Sequence, residues 1–203
     1  MKDSKAASKV LNVPNTLSII RVLLVPAFVA SLLFMRHIDL WGIIVPTIVY
    51  ILTAFTDMLD GKIARKYNLV TTFGKFIDPL ADKFMVIASQ IAILVWFILR
   101  GEVTLSLVFV WVVLVILLRE LGVTGLRLAV GGKVDVAASI FGKLKTVSQM
   151  VGTLVIILEP LIFPFSAQSH IIAYALMALM AFTTLFSGID YLKAYLPHID
   201  TNS

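Results

Sequence analysis

Six long apolar runs constrain this chain more than any other feature of its sequence. A transmembrane α-helix needs about 20 mostly apolar residues, and the runs are separated by short polar segments. The predicted spans are residues 17–35, 41–55, 73–99, 103–118, 141–158 and 170–186. The chain is 60% hydrophobic and 14% charged, against about 45–50% and 25% in soluble domains. We therefore expect an all-α, polytopic bundle of six transmembrane helices, and the composition excludes a nucleic-acid-binding module.

The positive charges predict how this bundle is oriented. Of the 17 Lys and Arg residues, 15 lie on the side that holds both termini, and the other side carries only Arg36 and Arg100. Because cytoplasmic segments are enriched in Lys and Arg, we expect both termini and all the polar helix extensions to face the cytoplasm from the cell membrane. The predicted organisation is an interfacial segment 1–14, a six-span membrane domain 15–195 and a tail 196–203. Arg21 lies near the cytoplasmic end of the first span.

Four aspartates occupy the cytoplasmic ends of the second and third spans. Asp57 and Asp60 are three residues apart, and Asp78 and Asp82 are four apart, so each pair shares one face of its helix. Four carboxylates at a membrane border repel one another unless cations lie among them, and hard oxygen ligands suit Mg²⁺ or Mn²⁺. Two divalent ions would neutralise the four charges. The alternative is that each aspartate is a solvated helix-end residue paired with a nearby Lys or Arg.

The residues around these aspartates form a specific string. Asp57-x-x-Asp60-Gly61-x-x-Ala64-Arg65, followed by Gly74-x-x-x-Asp78-x-x-x-Asp82, resembles the signature of the CDP-alcohol phosphotransferases. The resemblance implies transfer of a phosphatidyl-type group from a CDP-linked donor to an alcohol, with release of CMP. It implies that the four aspartates hold Mg²⁺ or Mn²⁺ against the diphosphate, that Asp82 is the base, and that the protein is a homodimer. The implied contacts to CDP-diacylglycerol are Asn15, Gly61, Ala64, Arg65 and Gly74.

Basic residues at the cytoplasmic ends of the fourth and fifth spans indicate the acceptor. A cationic pocket of Arg119, Arg127, Lys143 and Lys145 favours an acceptor that carries its own phosphate, such as glycerol 3-phosphate. One alternative is that these side chains reach towards lipid headgroups. Another is that Arg119 pairs with Glu120, which would leave Arg127 and Lys143 for the substrate.

The wider sequence is similar to the bacterial branch of the family that makes phosphatidylglycerophosphate. The similarity lies in segments 12–17, 78–83 and 142–146, together with Arg21 and Arg119-Glu120. A relative that uses another acceptor, such as inositol phosphate, is the alternative within the family. An ion or phosphate transporter is the alternative outside it, although transporters tend to place ionisable residues near the bilayer midplane in two related halves.

Overall fold

The structure, a computed structural model, describes residues 13–66, 71–130, 140–163 and 169–198. In these ranges the long elements are six α-helices. They are α1 (Val13–Phe34), α2 (Trp41–Lys66), α3 (Thr72–Leu99), α4 (Val103–Ala129), α5 (Ile140–Ile162) and α6 (Ile171–Tyr195). Each contains a stretch that is long and apolar enough to cross a membrane. The predicted all-α architecture with six spans is therefore confirmed.

At two helix ends that contain a proline, the helix is longer than the sequence predicts. The first helix begins at Val13 rather than Leu17, so Pro14 lies in its first turn. Proline suits that position because the first N–H groups of a helix have no intrahelical partner. At the other boundary, Glu159 and Pro160 were predicted to lie in a loop, and that prediction is wrong because α5 continues to Ile162.

The extension of α5 is explained by contacts that its last turn makes with the start of α6. The Glu159 side chain is 3% exposed, and its Oε1 accepts a hydrogen bond of 3.3 Å from the Ala173 backbone N–H. That N–H belongs to the first turn of α6, where backbone donors otherwise lack partners. Pro160 removes only the single bond that its own N–H would have made one turn back.

The chain divides into two compact units, Met1–Trp96 and Phe97–Ser203. In the first unit α1 packs along α2, and the rings of Phe28 and Tyr50 lie 5.1 Å apart between centroids. In the second unit α6 packs against both α4 and α5. A Cβ atom on Gly152 would lie 2.9 Å from the Met180 sulfur, so glycine permits the close approach of α5 and α6. Each unit thus has its own core of apolar side chains.

Candidate active site

Three aspartates of the first unit contact two side chains of α1. Arg21 Nη1 lies 2.6 Å from Asp57 Oδ1, and Arg21 Nη2 donates to Asp60 Oδ2. The Ser18 hydroxyl lies 2.6 Å from Asp78 Oδ1 and 3.3 Å from Asp60 Oδ2. Carboxylates from α2 and α3 are therefore within hydrogen-bond distance of the same serine. Ser18 of α1 therefore links the acidic faces of α2 and α3.

Burial gives these contacts their energetic weight. The side chains of Arg21 and Asp60 are 1% and 6% exposed, whereas that of Asp57 is 31% exposed. A buried charge is costly unless it is paired and hydrogen-bonded, and the planar guanidinium meets two carboxylates at once. Asp82 lies one helical turn beyond Asp78 on α3 and is exposed. Three aspartates are thus engaged by α1, and the fourth presents its side chain at the surface of the unit.

Asn15 and Gly74, two residues predicted to contact the donor, lie side by side at the start of α3. Thr71 precedes the first residue of α3, and its Oγ1 accepts a 3.0 Å hydrogen bond from the Gly74 N–H, as an N-cap residue does. The Asn15 side chain, which is buried, donates from Nδ2 to the same hydroxyl at 3.0 Å. A Cβ on Gly74 would lie 2.7 Å from Asn15 Oδ1. Glycine at this position therefore makes room for the Asn15 amide.

The remaining predicted donor residues lie in the last turns of α2. Gly61, Ala64 and Arg65 are within the helix that ends at Lys66. Their side-chain environments lie outside the described part of the chain. The backbone places them on the same helix as Asp57 and Asp60, directly after the acidic pair.

In the second unit, a buried acid joins two of the four predicted acceptor-binding residues. Glu120 Oε1 lies 3.1 Å from Arg119 Nη1 and also accepts from Lys145 Nζ. Arg119 Nη2 donates to Ser187 Oγ at 2.7 Å, and its guanidinium carbon lies 5.1 Å from the centre of the Tyr191 ring. Helices α4, α5 and α6 each contribute to this cluster, so the basic groups are held in fixed positions.

The other two predicted acceptor-binding residues are exposed at helix ends. Arg127 is in the last turn of α4 and Lys143 is in the first turn of α5, and both side chains are exposed. The pair between Arg119 and Glu120, which the sequence left as an alternative, is present. Lys145 joins that pair, a contact that the alternative did not include.

The arrangement of the carboxylates bears directly on metal binding. Within the described ranges, no three His, Asp or Glu side chains are close enough together to surround one ion. Two of the four candidate carboxylates instead point to Arg21. Their chemistry still suits a hard divalent cation, since carboxylate oxygens are the ligands that Mg²⁺ and Mn²⁺ prefer. Donor type therefore fits such an ion, while Arg21 is the cation in contact with Asp57 and Asp60.

Several residues of these clusters were not assigned to a site from the sequence. From the sequence, Arg21 was placed near the cytoplasmic end of the first span and in the wider similarity, and Ser18 and Thr71 were given no role. An arginine within a transmembrane segment usually has a buried acidic partner, and that signal could have identified Arg21. Ser187 and Tyr191 offered no comparable signal, because isolated serine and tyrosine residues are common in spans.

This chain is similar to known proteins over most of its length. Residues 11–186 match the model of the family described as CDP-alcohol phosphatidyltransferase. A protein of Bacillus subtilis (strain 168), named CDP-diacylglycerol–glycerol-3-phosphate 3-phosphatidyltransferase, is 38% identical over 193 residues, covering 89% of this chain and 93% of that protein. A Rickettsia prowazekii (strain Madrid E) protein of the same name is 37% identical, covering 90% and 94%. A probable phosphatidylglycerophosphate synthase of Mycobacterium tuberculosis (strain H37Rv) is 33% identical, covering 95% and 85%.

The family model covers all four aspartates of the acidic string, the Asn15–Thr71 contact, and Arg119, Glu120 and Lys145 of the basic cluster. The relatives align over nearly their whole length as well as over nearly all of this chain. With its six helices long enough to span a membrane, this chain belongs to the CDP-alcohol phosphatidyltransferase family.

Proposed function

We propose that the protein transfers the phosphatidyl group of CDP-diacylglycerol to sn-glycerol 3-phosphate, giving phosphatidylglycerophosphate and CMP. The names of relatives that are 31–38% identical over most of the chain support this reaction over the alternatives. The structural observation that carries the proposal is the convergence of Asp57, Asp60 and Asp78 on α1. No comparable observation supports the alternative of an ion or phosphate transporter.

The family is generally dependent on divalent metal ions, and we propose Mg²⁺ or Mn²⁺ here, with two ions bound. Asp57, Asp60, Asp78 and Asp82 are the residues that would hold them. When bound, such ions stabilise the negative charge that develops on the leaving phosphate. Asp57 and Asp60 share one face of α2, and Ser18 brings Asp78 of α3 to the same place. The chain thereby contributes three carboxylates on preset helix faces.

We assign Asp82 as the base of the reaction. The acceptor hydroxyl oxygen forms a new bond to the phosphatidyl phosphorus, while the bond from that phosphorus to the CMP oxygen breaks. The hydroxyl proton must then go to a base within hydrogen-bond reach. Asp82 is one turn from Asp78 and has an exposed side chain, so a substrate can approach it, whereas Asp60 is largely buried.

Recognition of the donor is assigned to Asn15, Gly61, Ala64, Arg65 and Gly74. Two observations support part of this set. Asn15 is held against Thr71 and Gly74 at the start of the helix that carries Asp78. Gly61 and Ala64 are on the helix that carries Asp57 and Asp60, directly after that acidic pair.

Binding of the acceptor phosphate is assigned to Arg119 and Lys145, together with Arg127 and Lys143. Arg119 is held on three sides by Glu120, Ser187 and Tyr191, so its guanidinium is pre-organised. A guanidinium with a fixed orientation suits a phosphate group better than a mobile one. An inositol phosphate would use the same charges, and the acceptor panel described below separates the two.

The six apolar helices make this a multi-pass membrane protein. We propose that it resides in the cell membrane with both termini and the site on the cytoplasmic side, which follows from the distribution of Lys and Arg. We also propose a homodimer, on the resemblance to the family alone.

The test is an assay of CMP release by the purified full-length protein in detergent–lipid micelles. CDP-diacylglycerol is supplied with Mg²⁺ or Mn²⁺ and one acceptor at a time from glycerol 3-phosphate, inositol phosphate, glycerol, serine and inositol. We expect release with glycerol 3-phosphate, loss of activity with a chelator, and loss on Asp78→Asn. The matched control is Asp39→Asn, at an exposed position outside the site. Equal release with unphosphorylated alcohols, or full activity of Asp78→Asn, would refute the proposal.

A further inference from the structure

Among the described residues of the first unit, Arg21 is the most deeply buried charged group, and the chemical roles assigned above do not use it. Its side chain is 1% exposed, and the fork of its guanidinium meets Asp57 with one nitrogen and Asp60 with the other. These are two of the carboxylates assigned to the divalent ions. The same two charges therefore have two competing cations, one supplied by α1 and one from solution.

The positive charge of Arg21 offsets part of the negative charge of the carboxylates around it. Asp57, Asp60 and Asp78 bring three negative charges to one region, and Ser18 contributes only a neutral hydroxyl. Arg21 is the cation of α1 that contacts Asp57 and Asp60. Without it, carboxylates that share one helix face and one serine would repel one another in a poorly hydrated region, where such repulsion is strong.

We infer that Arg21 is an internal counter-ion that competes with the divalent ion for Asp57 and Asp60, and that it holds the acidic cluster together when the ion has left. This inference rests on the proposed function, because it presumes that these aspartates bind the metal. Arg21 acts through the carboxylates and is thus a positioning residue. Its charge weakens the metal affinity of the site and, in return, makes the fold less dependent on bound metal.

Two consequences distinguish this role from a purely structural one. Removing the guanidinium should tighten metal binding, because the ion no longer competes with a bidentate partner for the same oxygens. Removal should also make the folded protein more dependent on the metal, since Asp57 and Asp60 then lose the pairing that Arg21 gives them. A residue that only filled space would lower stability to the same extent with and without metal.

The experiment measures Mn²⁺ affinity by electron paramagnetic resonance and thermal unfolding by tryptophan fluorescence, on full-length protein in detergent. The variant is Arg21→Gln, purified with Mn²⁺ and then dialysed against chelator. The control is Arg36→Gln, in the same unit, where the Arg36 Nη1 donates to the Leu33 carbonyl rather than to the acidic cluster. We expect Arg21→Gln to bind Mn²⁺ at least about tenfold more tightly than the unaltered protein, as the loss of charge-assisted bonds implies, and Arg36→Gln to match the unaltered protein.

The unfolding midpoint gives a second readout. In chelator the midpoint of Arg21→Gln should fall below that of the unaltered protein, and saturating Mn²⁺ should restore most of the loss. Mn²⁺ affinity that is unchanged or weaker in Arg21→Gln would overturn the inference. Absence of Mn²⁺ binding to the unaltered protein would instead refute the metal assignment of the proposed function.

A second variant, which keeps the positive charge of Arg21, is made in case Arg21→Gln does not fold. Arg21→Lys supplies a single ammonium group, which cannot bridge both carboxylates as the planar fork does. Its Mn²⁺ affinity should lie between those of the unaltered protein and Arg21→Gln. If neither variant folded even in saturating Mn²⁺, the inference would be wrong, because the ion should replace the missing charge.

Discussion

Replacing Gly74 by alanine should destabilise the protein, whereas the same replacement at Gly125 should stabilise it. Both residues are within helices, at the start of α3 and late in α4. A Cβ on Gly74 would lie 2.7 Å from Asn15 Oδ1 and 3.3 Å from Thr71 Oγ1, whereas a Cβ on Gly125 would meet nothing within 4 Å. The two substitutions therefore add the same methyl group to a crowded site and to an open one.

The magnitude follows from two opposing terms. Alanine is more favourable than glycine inside a helix by about 1 kcal/mol, and this gain applies to both positions. At Gly74 the methyl group displaces the Asn15 amide, which is 1% exposed and bonded to Thr71. Leaving a buried polar group without its partner costs about 1–3 kcal/mol. We expect Gly74→Ala to be less stable than Gly125→Ala by about 1–3 kcal/mol, because the helix term cancels in the comparison.

The measurement is the free energy of unfolding in mixed micelles, followed by circular dichroism as denaturing detergent is added. Gly74→Ala should also raise the KM for CDP-diacylglycerol, since Asn15 is assigned to that substrate, while Gly125→Ala should not. If the two variants were equally stabilised, Asn15 would not be fixed against Gly74. The assignment of both residues to the donor site would then lose its structural support.

Three further predictions concern the reaction itself. Asp78→Asn should reduce turnover by orders of magnitude while circular dichroism still reports a folded protein, because the amide keeps the size of the side chain but removes a metal-binding charge; near-normal activity at low Mg²⁺ would contradict the metal assignment. Asp82→Asn should lower kcat more than it raises the KM for CDP-diacylglycerol, as removal of a base does; an equal loss of donor binding would make Asp82 mainly a metal ligand. Arg119→Gln should raise the KM for glycerol 3-phosphate by about tenfold or more, since charge-assisted bonds are worth roughly 1.5–3 kcal/mol each, with Lys193→Gln as an exposed control on α6. Equal KM values for these two variants would place the acceptor elsewhere.

The spans and the acidic residues could be predicted because their signals are local. A run of apolar residues identifies a span without reference to any partner, and i, i+3 or i, i+4 spacing places two aspartates on one face. The turn at Gly101, predicted from residues 100–102, is also local, and the glycine there adopts a φ of 77° that side chains rarely allow.

The errors and omissions involve contacts between residues far apart in the sequence. Glu159 continues α5 because its carboxylate accepts an N–H from α6, 14 residues away. The last helix continues to Tyr195 because the stacked rings of Tyr191 and Tyr195 pack against Val123 and Val130. Arg21 faces acids that lie 36 and 39 positions further along the chain, so neither partner is visible in a local window. Hydropathy and residue spacing indicate that a segment needs a packing or charge partner. They do not identify the distant segment that supplies that partner.

The contacts of the acidic cluster also bear on the order in which the protein is assembled in the membrane. The bonds from Ser18 and Arg21 to Asp60 and Asp78 span 39 to 60 residues and use only the first three helices. The ribosome makes α1, α2 and α3 before α4, α5 and α6. Arg21, Ser18 and the three aspartates that they contact are therefore present before α4 is made. The cluster can therefore form during synthesis, before the helices that carry Arg119 and Lys145 have entered the bilayer. Arg21 precedes all four aspartates in the chain. Their positive counter-charge is therefore already synthesised when the aspartates reach the membrane border.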